Sequence, residues 1–187
     1  DNTNSIIDTL IDLFEARANE KLRCVEMETV FSSTPVSNVI AVPTDLLQLR
    51  HIVVNTSSPV VLEYADPETV LNYATGSASS FYSLVNNEFV IASSPAGSVV
   101  DMYYYQSIPA LSDSNTTNWL LDKYPNYYVR GVLAEYYLWS VDDRYATILQ
   151  ELISTEQHIN ARGNTLAHGR MPLSVKTEVF ANFKVNR

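Results

Sequence analysis

Glycine is scarce in this chain, at five residues in 187, and no GxSxG elbow, P-loop or dinucleotide fingerprint occurs. Phosphate-cradling loops and exposed nucleophile turns need such glycines, so their scarcity argues against nucleotide binding. The single cysteine, Cys24, excludes an internal disulfide and says nothing strong about redox compartment. Only Arg23 beside it could lower its pKa, a poor basis for a nucleophile. The three histidines, His51, His158 and His168, lie far apart and match no metal-ligand spacing; His51 reads as a surface or interface group at the head of a strand. No apolar run approaches the roughly 18 residues that span a bilayer, and no signal-peptide pattern opens the chain, so a soluble protein is expected. Positive charge is short as well. Twelve Lys and Arg face 21 Asp and Glu, a formal charge of −9, which argues against gripping nucleic acid through its phosphates but permits a surface that DNA slides past.

What is present is ample apolar material, 46% of residues, enough for one core or two small ones. In residues 4–23, Ile7, Leu10, Ile11, Phe14, Ala18 and Leu22 recur at helical spacing with Asp8, Asp12, Glu15 and Glu20 between them, an amphipathic helix. From Val25 the period changes to two, through Met27, Thr29 and Phe31. Short β-branched or aromatic runs follow at 39–42, 49–54, 60–64, 81–84, 89–92 and 99–105, separated by turn chemistry at Thr34-Pro35, 55–59, Asn86-Asn87 and 93–97. Such punctuation predicts a small antiparallel sandwich or barrel. Asp66 as cap and Pro67 in the first turn start a short helix to about Ala74 inside it, and Thr44-Asp45 suggests one further turn.

Residues 103–153 form the junction. Tyr103, Tyr104 and Tyr105 close the β-rich region, Pro109 and the polar stretch 112–118 break the chain, and Pro125 opens a helix that is apolar nearly all round. Gly131 inside it costs about 1 kcal/mol against Ala, which predicts close approach of another backbone. That helix is expected to end at Asp142-Asp143, a pair better read as cap and dipole partner than as acid and base. A last helix is predicted over about 143–161, with Tyr145, Ile148, Leu149, Leu152, Ile153 and Ile159 on one face and Gly163 as its end. Beyond it Leu173, Val175, Thr177 and Val179 alternate with polar residues, and residues 162–187 carry +4 on a body of −13.

The run 108–143, IPALSDSNTTNWLLDKYPNYYVRGVLAEYYLWSVDD, together with 14–28 and 42–50 upstream, resembles head-to-tail adaptor proteins of tailed bacteriophages, also called connector or head-completion proteins. The likeness covers roughly residues 10–160, and its motifs are structural rather than chemical. It implies a non-enzymatic virion protein without cofactor, assembled in the bacterial host cytoplasm, that forms a ring, typically twelvefold, joining the portal protein to a tail or nozzle protein. DNA would pass through that ring without sequence-specific binding, and an acidic lining would keep it from sticking. Relatives carry residues before the first helix, so a preceding segment is expected.

The fold expected is α+β, an antiparallel α-helical bundle interrupted by a small antiparallel β-sandwich or barrel-like insertion, with an extended C-terminal tail. Residues 1–24 supply the first helix of the helical domain, 25–108 the insertion, 109–162 the remaining helices and 163–187 the tail. Tyrosine, twelve residues in all, is concentrated at the junction, where it suits either a subunit interface or a core with satisfied hydroxyls. The interface candidates are Tyr127, Val129, Tyr136, Tyr137 and Trp139, because one intrachain neighbour cannot cover so apolar a helix. In the tail, Leu173, Val175 and Val179 suit strand addition to a sheet edge. Phe180 and Phe183 would fill pockets, while Arg170, Lys176, Lys184 and Arg187 would steer the tail to an acidic surface. A carbohydrate- or receptor-binding tail component built on the β-region is the alternative, and a glycosidase with unrecognised carboxylates ranks third.

Overall fold

The computed structural model of the chain describes residues 2–73, 80–92 and 97–168. Helix α1 (Asn2–Lys21) leads into a 3-10 turn at Val25–Met27. Strands β1 (Glu28–Ser33), β2 (Val39–Ala41), β3 (Leu46–Asn55) and β4 (Val60–Tyr64) come next. Helix α2 (Pro67–Tyr73) separates them from β5 (Phe81–Val85), β6 (Glu88–Ile91) and β7 (Val99–Gln106), and α3 (Trp119–Lys123), α4 (Pro125–Trp139) and α5 (Tyr145–His168) follow. The architecture is mixed, a curled seven-stranded sheet beside helices.

Local chemistry accounts for much of this. Leu10, Phe14, Ala18 and Leu22, four residues apart, form the buried stripe of α1 and its C-terminal extension. Asp66 caps α2 by accepting a hydrogen bond from the Thr69 N–H at 2.9 Å, with Pro67 in the first turn as expected. Asn86 and Asn87, at φ 50° and 61°, make the tight turn between β5 and β6, where both central residues must be left-handed. Asn118 caps α3 through the Leu121 N–H at 2.9 Å, and its amide also donates to the Pro109 carbonyl, tying the junction loop to the helix it precedes.

The sheet order is β1-β7-β3-β4-β5-β6-β2. All of its ladders are antiparallel except β4 with β5, which is parallel. The expectation of a purely antiparallel insertion is corrected here, because parallel neighbours need a crossover rather than a hairpin, and α2 lies between β4 and β5. Two register shifts in β3, between Leu46 and Gln48 and between Leu49 and His51 against β7, bend the strand.

Two apolar cores result. One is helical, built on Phe14, Leu22, Met27, Leu120, Leu152 and Ile159. The other lies on the sheet, built on Ile52, Leu62, Phe89, Ile91, Val100 and Met102. Because Met27 belongs to the helical core, the chain turns at Val25–Met27, with the Met27 N–H donating to the Cys24 carbonyl at 3.0 Å, and the strand starts at Glu28 rather than at Val25.

Three further expectations change. Helix α4 stops at Trp139, before Asp142-Asp143. Its end is a Schellman closure in which the Asp142 N–H donates to the Tyr137 carbonyl at 2.9 Å and the Val141 N–H to that of Leu138 at 3.3 Å. Gly131 faces a side chain instead of a backbone, since a Cβ there would fall 2.0 Å from the Phe14 ring. Gly163 does not end α5, which runs on to His168; a Cβ at Gly163 would lie 3.2 Å from the Cys24 Cα and 3.3 Å from the Val25 nitrogen. That glycine admits the turn after α1, so residues 163–168 are helix and not extended tail.

Candidate functional site

An open apolar surface lies between α1 and α4. Ile7 and Ile11 from the first helix, and Val129, Val132, Leu133 and Tyr136 from the second, line a groove of about 440 Å³ whose walls are almost wholly apolar. Val129, Leu133 and Tyr136 sit at helical spacing on one stripe, and Val129 remains 64% exposed. Beside it, sharing Ile11, runs a cleft of about 490 Å³ bordered by Asp8, Asp12 and Asp113. None of these three carboxylates has an ion pair among the described residues.

Buried polar links tie α1 and α4 to each other, to α5 and to the junction loop behind this groove. Glu15, 4% exposed, accepts from the Tyr128 hydroxyl and from the Leu111 N–H at 3.0 Å. Glu156, 7% exposed, accepts from the Tyr127 hydroxyl at 3.3 Å and pairs with the Arg17 guanidinium at 3.1 Å. The Asn19 side chain takes the Ile108 N–H at 2.8 Å, and Asn160 takes the Arg23 N–H at 2.8 Å while donating to the Lys21 carbonyl. Burial, with the partner carboxylate adding to it, raises the pKa of Tyr127 and of Tyr128, so both hydroxyls stay protonated as donors. Glu15 lies inside, although it is one of the acids set between the apolar positions of α1. The signal for that was absent from the pattern, because its partners are more than 90 residues away.

At the far end of α4 the chain makes an exposed apolar corner. Trp139 is 64% exposed and Val141 89%. Val141 adopts φ 56°, a left-handed conformation that disfavours a β-branched residue. Asp142 then accepts from the Arg144 N–H at 2.9 Å and binds its guanidinium through both carboxylate oxygens, which lowers the Asp142 pKa to about 2. The same guanidinium lies 4.5 Å from the centre of the Tyr137 ring.

Among the five α4 residues expected at an interface, the structure separates one from the rest. Tyr127, at 2% exposure, is consumed by its own core, where its ring meets Phe14 edge-on at 5.3 Å. Val129 and Tyr136 belong to the groove and Trp139 to the corner, with Tyr136 in ring contact with both Tyr137 and Trp139. The junction tyrosines divide in the same way. Tyr104 enters the sheet core and donates to Asp45 at 3.0 Å, Tyr103 stacks on His51 at 4.3 Å, and Tyr105 lies under Arg50. Arg170, Leu173, Val175, Lys176, Val179, Phe180, Phe183, Lys184 and Arg187 lie outside the described residues.

The chemistry on view is that of packing. Cys24 is buried, and burial first, with Glu26 next, pushes its thiol up to about 12, the reverse of what a nucleophile requires. No group of three potential metal ligands occurs among the described residues, and no helix there is long and apolar enough to cross a membrane.

Comparison with protein families finds a match over residues 1–172 to the model described as SU10 adaptor protein. Comparison with curated proteins finds no match.

Proposed function

The chain belongs to the SU10 adaptor protein family and is a structural adaptor component of a phage virion, and from that premise we propose that it forms a ring between portal and tail that surrounds the DNA channel. The observation that supports this reading is the α1–α4 groove. Helix α4 contacts α1, α3 and α5 and still leaves Val129, Leu133 and Tyr136 at the surface. A contiguous apolar surface of that kind is what an adjacent subunit covers. In this reading Val129, Tyr136, Tyr137 and Trp139 meet neighbouring chains, twelve copies match a twelvefold portal, and the net charge of −9 keeps passing DNA from adhering. Residues 25–108 act as an insertion between helical parts 1–24 and 109–168, α5 ending at His168.

Native mass measurement tests the proposal. The chain is expected to run as a multimer, alone or with the portal protein of the same phage. Tyr136→Glu should abolish that multimer while leaving the far-ultraviolet circular dichroism of the chain unchanged. Monomer under both conditions sinks the ring.

A further inference from the structure

We propose that the α1–α4 groove is the seat for the C-terminal segment, residues 169–187, of a neighbouring copy of this chain, an inference that rests on the ring reading above. The two surfaces match in kind. The groove is an apolar trough at Ile11, Val129 and Leu133, flanked by the carboxylates Asp8, Asp12 and Asp113. The segment sets Leu173, Val175, Val179, Phe180 and Phe183 among Arg170, Lys176, Lys184 and Arg187, with Glu178 its one acid. Apolar side chains would fill the trough while the cations face acids that no other described residue neutralises.

Geometry assigns the start of that segment to another copy. Helix α5 meets Arg17 at Glu156, the Arg23 N–H at Asn160 and Cys24 at Gly163, so it runs parallel to α1 and passes the C-terminal end of that helix. The groove lies at the opposite end of α1. From Asp12 to Cys24 is about 18 Å at the helical rise, and the stretch of α5 from Gly163 to His168 adds about 7 Å in the direction away from the groove. Five residues lead from His168 to Leu173, and fully extended they span at most about 18 Å. Leu173 therefore falls short of the groove of its own chain, and a segment seated there from Leu173 onward comes from the next copy. One surface reaching a different surface on the next copy is a heterologous contact, the kind that closes rings when the rotation fits.

The test uses full-length chains in native mass measurement. Val129→Glu, at a site exposed enough to keep the fold, blocks the groove; the double substitution Phe180→Asp with Phe183→Asp blocks the segment. Each is expected to raise the copy-to-copy dissociation constant about a hundredfold or more, since each puts unpaired carboxylate charge into the apolar trough. Mixing the two variants leaves one intact groove and one intact segment, and a complex of two chains is expected. Failure of the mixture to pair, or multimers unchanged by either variant, overturns the contact and leaves the ring reading standing. A wild-type chain that is monomeric alone yet multimeric on the portal does the same. Only a wild-type chain monomeric with the portal as well defeats both.

Discussion

The helical half and the β half of this molecule solve the same problem by different means. In the sheet, backbone ladders hold every strand in register, so the core beneath it needs almost no polar links and is drawn from Ile40, Ile52, Val54, Leu62, Phe89, Ile91, Val100 and Met102 with Tyr104. Helices satisfy their backbone internally and gain no register from it. Where α1, α4 and α5 meet, side chains supply what the ladder supplies elsewhere: Glu15, Asn19, Glu156 and Asn160 each bind across to a distant segment. The difference teaches where a docking face can be built. A sheet ends in edges, whereas helices joined by buried polar links can leave an apolar trough between them.

The largest test of that contrast is at Phe14, whose ring fills the space left by Gly131 and meets Tyr127 and Tyr128 edge-on. Phe14→Ala should cost about 3–5 kcal/mol in urea denaturation, against about 0.5–1.5 kcal/mol for Ile52→Val in the sheet core. Gly131→Ala should also destabilise, by about 1–3 kcal/mol, because overpacking against the ring outweighs the propensity gain of about 1 kcal/mol. Combined with Phe14→Leu it should cost less than the sum of the two.

Ion pairs sharpen the comparison. Glu156→Gln strands the Arg17 guanidinium in a mostly buried place and should cost about 2–4 kcal/mol. The sheet pair of Arg50 with Glu28, at 2.6 Å, is far more exposed; Glu28→Gln should cost less than about 1 kcal/mol. Equal losses in chemical denaturation would remove the proposed distinction.

Alkaline pH should weaken the helical half first. The Cys24 thiol is raised from its ordinary value near 9 to about 12 in the folded chain, so the folded state keeps a proton that the unfolded state releases. The associated stability is full below pH about 9 and is lost as pH climbs toward 12, by about 2 kcal/mol at pH 10.5. Tyr127 and Tyr128 act in the same direction above pH about 10. Thermal melts at pH 8 and pH 10.5 should show a smaller drop for Cys24→Ala than for wild type.

The smallest effect has the opposite sign. Val141 is held at φ 56° in the α4 closure, and Val141→Gly should raise stability by about 1 kcal/mol. If the exposed corner also touches a neighbouring copy, the same substitution should weaken assembly while it raises the melting temperature.

The two core glycines show how far the sequence could be read. Each was recognisable as a residue with a task, and neither task is the one its local pattern indicated. Gly131 read as a backbone contact and receives an aromatic ring, while Gly163 read as a helix stop and receives the backbone of Cys24 and Val25. A glycine announces that something comes close, but what comes close is contributed by residues over 100 positions away, which no local pattern encodes. Met27 is similar: its alternation with Val25 and Thr29 is that of a strand, yet the helical core claims it and the chain turns.

Local physics carried the stripe of α1, the cap of α2, the Asn86-Asn87 turn, the apolar excess of α4 and the family likeness, because period, capping and turn chemistry act over a few residues. Tertiary structure alone decided the parallel pairing of β4 with β5, the burial of Glu15 and Glu156, the removal of Tyr127 from the surface and the trough between α1 and α4. Each of these depends on which distant segment lies opposite, and that choice is made by the free energy of the whole packed chain rather than by any stretch of it.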